Sequence, residues 1–145
     1  MGSNKVLLVE DNSDDVELML HAFKSGRIAN DVDVVRDGES ALDYLMRRGS
    51  FAGRDKSEQP ALILLDLKLP GIDGLEVLRQ IRANPDTKRI PVAILTTSDD
   101  EADIIRGYDL GVNSYIRKPV GFTAFTDMVE KLGLYWLVVN IAAPS

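Results

Sequence analysis

The chain has 145 residues, 45% of them hydrophobic and 28% charged, with a formal net charge of −6; this suits one folded domain and excludes disordered and fibrous classes. It has no cysteine and one histidine, His21, which removes disulfides, thiolate catalysis, cysteine-ligated zinc and most histidine-based acid–base schemes. The acidic balance carries no basic stripe for nucleic acid, no run approaches the roughly 18 apolar residues of a membrane span, and "MGSNKVLLVE" lacks a signal-peptide layout. A cytoplasmic domain without nucleic-acid or membrane partners is expected.

In chain order, "KVLLV" (5–9) reads as a first strand. A helix follows a cap at Asn12 or Ser13, with Val16, Met19, Leu20 and Phe23 spaced i, i+3, i+4, i+7 on its inner face. His21 falls on the opposite face and reads as a surface residue. "VDVV" (32–35) is the second strand, and a helix from about Gly38 to Arg48 is closed by Gly49. The polar "RRGSFAGRDKSEQP" (47–60) reads as a tolerated surface insertion with no chemistry. "ALILL" (61–65) is the third strand; the helix from about Gly74 to Ala83 is ended by Asn84-Pro85. "PVAIL" (91–95), a helix from about Asp100 to Leu110 before Gly111, and "SYIR" (114–117) come next. A last helix, about Gly121 to Leu132, turns Phe122, Phe125, Val129 and Leu132 inward, with Gly133 as its stop.

Five β-α alternations imply an α/β fold: a doubly wound parallel sheet with right-handed crossovers and helices on both faces. Three strands are apolar nearly throughout, as strands covered on both faces are. One domain spans 1–133, and 134–145 form an apolar extension that begins with "LYWLVVNI" (134–141). The dozen residues after Gly133 leave no room for a DNA-binding domain, so a stand-alone domain is expected.

The stretch "ALILLDLKLPGIDG" (61–74) ends an aliphatic run in Asp66, a charge that costs desolvation energy unless something pairs with it. In open α/β sheets, ligands bind outside the carboxyl ends of the strands. Those ends here carry Glu10-Asp11, Asp66, Thr96-Thr97 and Lys118-Pro119. Carboxylates near 4 Å apart repel by on the order of 4 kcal/mol per pair at an effective dielectric of about 20. Protonation is one remedy; a hard divalent cation such as Mg²⁺, which also holds phosphate, is another. Lys118 offsets one charge but not three. Taken singly, each residue is an ordinary loop, strand or turn residue, and "PGIDG" is a plain turn signature. Their joint occurrence at four strand ends points to a Mg²⁺ and phosphate site.

Over residues 5 to about 132 the chain resembles the receiver domain of two-component response regulators. The resemblance is carried by "VLLVEDN", "LILLDLKLPGIDG", "AILTTS" and "SYIRKP", with 30 residues from Asp66 to Thr96 and 52 from Asp66 to Lys118. It implies a flavodoxin-like five-stranded sheet of order 2-1-3-4-5. It also implies that Asp66 accepts a phosphoryl group from a histidine kinase. Glu10, Asp11, Asp66 and the backbone carbonyl of Lys68 would hold Mg²⁺ or Mn²⁺. Lys118, Thr96 and Thr97 would bind the phosphoryl group, the Lys118–Pro119 bond would be cis, and Tyr115 would follow Thr96 inward as the switch aromatic. "LTTSDDEADI", "NSYIRKP" and Tyr135-Trp136 are similar to single-domain regulators paired with bacterial and cyanobacterial phytochrome kinases.

Such a protein is a phosphoacceptor rather than an enzyme in the ordinary sense. A haloacid-dehalogenase-like phosphatase would need a second aspartate where Lys68 stands. A pseudo-receiver is opposed by the intact set of Glu10, Asp11, Asp66, Thr96 and Lys118. A charge-assisted hydrogen bond from Thr96, about 1.5–3 kcal/mol, falls short of the roughly 5.5 kcal/mol needed to invert a 1:99 population, so Thr96 cannot throw the switch alone. The extension either folds back or, with Tyr135, Trp136 and Leu137, builds a homodimer on the face of helix 4, strand 5 and helix 5.

Overall fold

The computed structural model describes residues 5–25, 31–55, 58–97, 100–118 and 122–133. Its elements are β1 (Val6–Val9), α1 (Ser13–Ser25), β2 (Val32–Val35), α2 (Gly38–Met46), a 3₁₀ turn (Gly49–Phe51), β3 (Leu62–Leu65), α3 (Gly74–Ala83), β4 (Val92–Thr96), α4 (Glu101–Asp109), β5 (Ser114–Arg117) and α5 (Phe122–Gly133). The five strands form one parallel sheet of order β2-β1-β3-β4-β5, as expected.

Alternate residues of the central strands feed opposite faces. Leu7, Val9, Ile63, Leu65 and Ile94 pack on α2 and α3 through Leu42, Leu45, Leu78 and Ile81. Val6, Leu8, Leu62, Leu64, Ala93 and Leu95 pack on Val16, Met19, Ala22 and Phe23 of α1, with Met128 of α5 at the margin. Residues of β1, β3 and β4 are all buried, whereas the edge strands β2 and β5 are mostly half-buried. The unbroken apolar strands are thus the inner three.

In α1, Asn12 is the cap, its side chain accepting from the Asp15 amide at 3.1 Å, and Ser13 is already helical. Leu20 departs from the expected inner face. It is 38% exposed, while Ala22 is fully buried. The buried stripe centres on Met19, so Leu20 lies about one residue's rotation past its edge. His21 is exposed, as read.

The loop over 47–60 is more than a tolerated insertion. Its Phe51 meets the Tyr44 ring edge-on at 5.2 Å between centroids. The Arg54 guanidinium stacks over the Tyr44 ring, 3.5 Å from its centre. Arg54 also donates to the Tyr44 and Glu58 carbonyls, and Gln59 donates to Leu45 O at 2.8 Å. The loop is clasped to α2 by hydrogen bonds that its polar composition disguises.

Arg82 of α3 does similar work at the far end of α4. Its guanidinium donates to Gly111 O, Lys88 O and Ile90 O at 2.8–3.0 Å and to Asn113 Oδ1 at 2.9 Å. In α4 itself only Gly107 is buried. Gly133 is still helical rather than a stop beyond the helix. Pro119, the inward side chains of α5 (Phe122, Phe125, Val129 and Leu132) and the extension with Tyr135, Trp136 and Leu137 lie outside the described residues.

Candidate functional site

Sheet register assembles the site. Val9 pairs with Leu65, so the next residues, Glu10 and Asp66, leave β1 and β3 side by side. Their amides remain tied to the sheet, Glu10 N to Val35 O at 3.0 Å and Asp66 N to Val9 O at 3.1 Å. Thr96, fully buried, pairs with Arg117, and the Lys118 amide donates to Thr96 O at 2.7 Å. This directs Lys118 across the carboxyl edge of the sheet.

The Lys118 ammonium is the centre of the site. Its Nζ lies 2.5 Å from Glu10 Oε1, 2.7 Å from Asp15 Oδ2 and 3.1 Å from Asp66 Oδ2. An ammonium has three hydrogens, and each finds a carboxylate. Glu10 and Asp66 are buried, and the side chain of the half-buried Lys118 is 7% exposed. Burial lowers the lysine's proton affinity, but the hydrogen bonds it donates to Asp15 and Glu10, with the Asp66 charge, outweigh this and hold Lys118 above the usual lysine range. Glu10 behaves oppositely. Burial, aided by the Asp66 charge, pushes its carboxyl from 4.5 up to about 7, against the opposing pull of Lys118 and the Asn12 amide.

The third carboxylate at the ammonium is Asp15, which the sequence reading did not single out. It sits in the first turn of α1, where an acidic residue is ordinarily read as a partner for the helix dipole. Asp11 is exposed beside Glu10, Asp66 and Lys118. The Lys68 side chain is exposed as well, while its amide donates to Asp66 Oδ1 at 3.3 Å. Thr97 is exposed, and Tyr115 is half-buried against the core.

The loop after Asp66 needs its glycines. Gly71 has φ +73°, a conformation that suits glycine. Gly74 begins α3 with its amide on Leu67 O at 2.9 Å; an added Cβ would lie against the Asp66 carbonyl oxygen and 2.7 Å from Leu67 Cα. Both neighbours are backbone, so neither yields by a rotamer change. Asp73 caps the same helix, accepting from Glu76 N at 2.9 Å. Gly74→Ala should therefore displace the Asp66 loop, destabilising the fold by about 1–3 kcal/mol with a comparable loss of any chemistry at Asp66. Urea unfolding of the variant reads the first effect, and an unchanged midpoint would show that α3 can retreat without cost.

Among the described residues no three carboxylate or imidazole side chains are gathered to hold a metal ion. Lys118 bridges Glu10 and Asp66 instead. The donor chemistry nonetheless fits a hard divalent cation: two buried carboxylates, Asp11 adjoining, and more negative charge than one ammonium offsets. The raised Glu10 carboxyl sets a sign. Because unfolding returns it to 4.5, the unfolded state releases this proton first, and stability falls as pH rises from 4.5 to about 7. Glu10→Gln in chelator should thus be more stable than the parent at pH 8, by at most about 3 kcal/mol, with the difference vanishing near pH 4.5. Denaturant midpoints at both pH values test this, and a variant weaker at pH 8 than at pH 4.5 would contradict it.

A family model described as the response regulator receiver domain matches residues 6–130. The chain belongs to the response regulator receiver family. The response regulator Rcp1 of Synechocystis sp. is 42% identical over 132 residues, covering 91% of this chain and 88% of that protein. The structure of the phosphorylated cyanobacterial phytochrome response regulator RcpA matches this receiver with a TM-score of 0.90 at 40% identity, over 99% of this chain and 100% of that one. The Mn²⁺-bound form of Rcp1 matches with a TM-score of 0.87 at 40% identity, over 97% and 99%. The receiver is a signalling domain of the two-component type, and the flavodoxin-like fold and the phytochrome-regulator likeness stand as read from its motifs. Among the described residues no helix is long and apolar enough to cross a membrane.

Proposed function

We propose that this receiver accepts a phosphoryl group on Asp66 from a histidine kinase of the phytochrome type and signals through protein contacts. The observation that carries the reading is the Lys118 ammonium held on Glu10, Asp15 and Asp66 at the carboxyl edge of the sheet. A divalent cation, Mg²⁺ or Mn²⁺ as in the Mn²⁺-bound form of Rcp1, would be held by Glu10, Asp11, Asp66 and the Lys68 carbonyl, supplying positive charge to the phosphoryl oxygens. Every other part falls to the chain. Asp66 is the nucleophile, held by its amide on Val9 O and by the Lys68 amide on Oδ1. Lys118 offsets charge on the incoming oxygens, Thr96 and Thr97 donate to them, and Tyr115 follows Thr96. Incubation with acetyl phosphate or a phytochrome kinase and Mg²⁺, followed by intact mass and peptide mapping, tests this; an adduct absent, or mapped away from Asp66, would refute it.

The same reading assigns 1–133 to the receiver domain and 134–145 to a homodimer through α4, β5 and α5. Ile105 and Tyr108 on α4 are 53% and 52% exposed, an apolar pair on that face. Sedimentation should give a dimer for the full chain that is lost in a version ending at Gly133. Equal monomer masses at tens of micromolar would exclude it.

A further inference from the structure

We infer that Asp15 is a positioning residue that acts on the phosphoacceptor through Lys118, competing with Asp66 for the ammonium. This rests on the proposed phosphoacceptor role of Asp66. Lys118 Nζ stands 2.7 Å from Asp15 Oδ2 and 3.1 Å from Asp66 Oδ2, so its shorter bond is to the helix rather than to the acceptor. Asp15 differs from its two companions at the ammonium. Glu10 and Asp66 are buried at the strand ends, whereas the Asp15 side chain is 25% exposed and belongs to α1. Nothing in the proposed chemistry draws on Asp15, so its hold on Lys118 does not diminish when the other two carboxylates are engaged.

The three ammonium hydrogens are all spent in the resting protein. A phosphoryl group on Asp66 presents new dianionic acceptor oxygens, and Lys118 serves them only by giving up a carboxylate. Asp15 therefore stabilises the unmodified state relative to the phosphorylated one. Its removal should leave more of Lys118 for the phosphoryl oxygens. Asp14 provides the matched control. It is the preceding residue, equally acidic but exposed where Asp15 is half-buried, and its substitution removes the same formal charge from the same turn without touching the Lys118 contact.

The experiment compares the parent, Asp15→Asn, Asp15→Ser and Asp14→Asn, each loaded with acetyl phosphate and Mg²⁺ and then freed of acetyl phosphate. Intact mass follows the loss of the adduct. Both Asp15 variants should retain the phosphoryl group roughly three- to tenfold longer than the parent, as expected for one charge-assisted hydrogen bond partly replaced by water or amide. Asp14→Asn should keep the parental lifetime. The Lys118 side-chain nitrogen resonance of the unphosphorylated proteins gives a second readout, shifted by Asp15→Asn and not by Asp14→Asn. Equal lifetimes for Asp15 and Asp14 variants, a shortened lifetime in Asp15→Asn, or an unmoved resonance would overturn the inference while leaving Asp66 as acceptor. Failure of the parent itself to form an adduct would overturn the acceptor reading, and the inference with it.

Discussion

Asp66→Asn should abolish the acid-stable, base-labile phosphoryl adduct outright while leaving the fold intact. The substitution keeps the shape of the side chain and removes one of three acidic groups around Lys118, which retains Glu10 at 2.5 Å and Asp15 at 2.7 Å. Loss of reactivity therefore cannot be laid to a lost charge partner. The amide that replaces the carboxylate is a poor nucleophile toward phosphorus, so the effect is all-or-none rather than graded. Denaturant unfolding of the variant should match or exceed the parent in the absence of metal. Phosphoryl uptake by Asp66→Asn at the parental rate would place the acceptor elsewhere.

Lys118→Met should have the largest effect on stability. It removes the only cation that the described residues bring to Glu10 and Asp66, leaving carboxylates at 2% and 8% side-chain exposure without a counter-charge. Breaking a buried ion pair from one side costs about 3–5 kcal/mol. The loss should depend on pH in a defined direction. Without the ammonium that opposes its burial, Glu10 resists ionisation more strongly, so the folded state holds a proton that the unfolded state releases, and stability falls with rising pH. The penalty should be larger at pH 8 than at pH 5, and Mg²⁺ should recover part of it by mass action. Urea midpoints at the two pH values, with and without Mg²⁺, measure each component; a penalty that grows toward low pH would reverse the assignment of charge at this site.

What the sequence disclosed about this site follows from strand geometry. Glu10 and Asp66 were legible because parallel strands in register deliver their next residues to the same edge, and Lys118 because β5 ends beside β4. Asp15 was not, because its partnership depends on where the first turn of α1 lies over the edge, which no periodicity encodes. Leu20 misled because spacing defines a stripe but not its width. The 47–60 loop misled for a chemical reason: Arg54, Gln59 and Phe51 bond to the backbone and ring of α2, and polar composition does not distinguish a solvated side chain from one spent on a carbonyl. Gly74 was visible as a turn residue; that it stands against the Asp66 backbone was not.

The unequal support of α4 gives that helix a mechanical character. Its own packing rests on Gly107, while the turn that follows is bolted down by Arg82 through Gly111 O and Asn113 Oδ1. The Val92 amide binds the same Asn113 oxygen at 2.9 Å, so the bolt is threaded into the start of β4. Such a helix is a cantilever. Load applied near Glu101 acts with the whole length of the element as its lever arm, and the reaction is borne at the carboxyl-terminal turn. Displacement at the amino-terminal end of α4 should therefore turn the helix about its bonded carboxyl-terminal turn and carry the exposed Ile105 and Tyr108 with it.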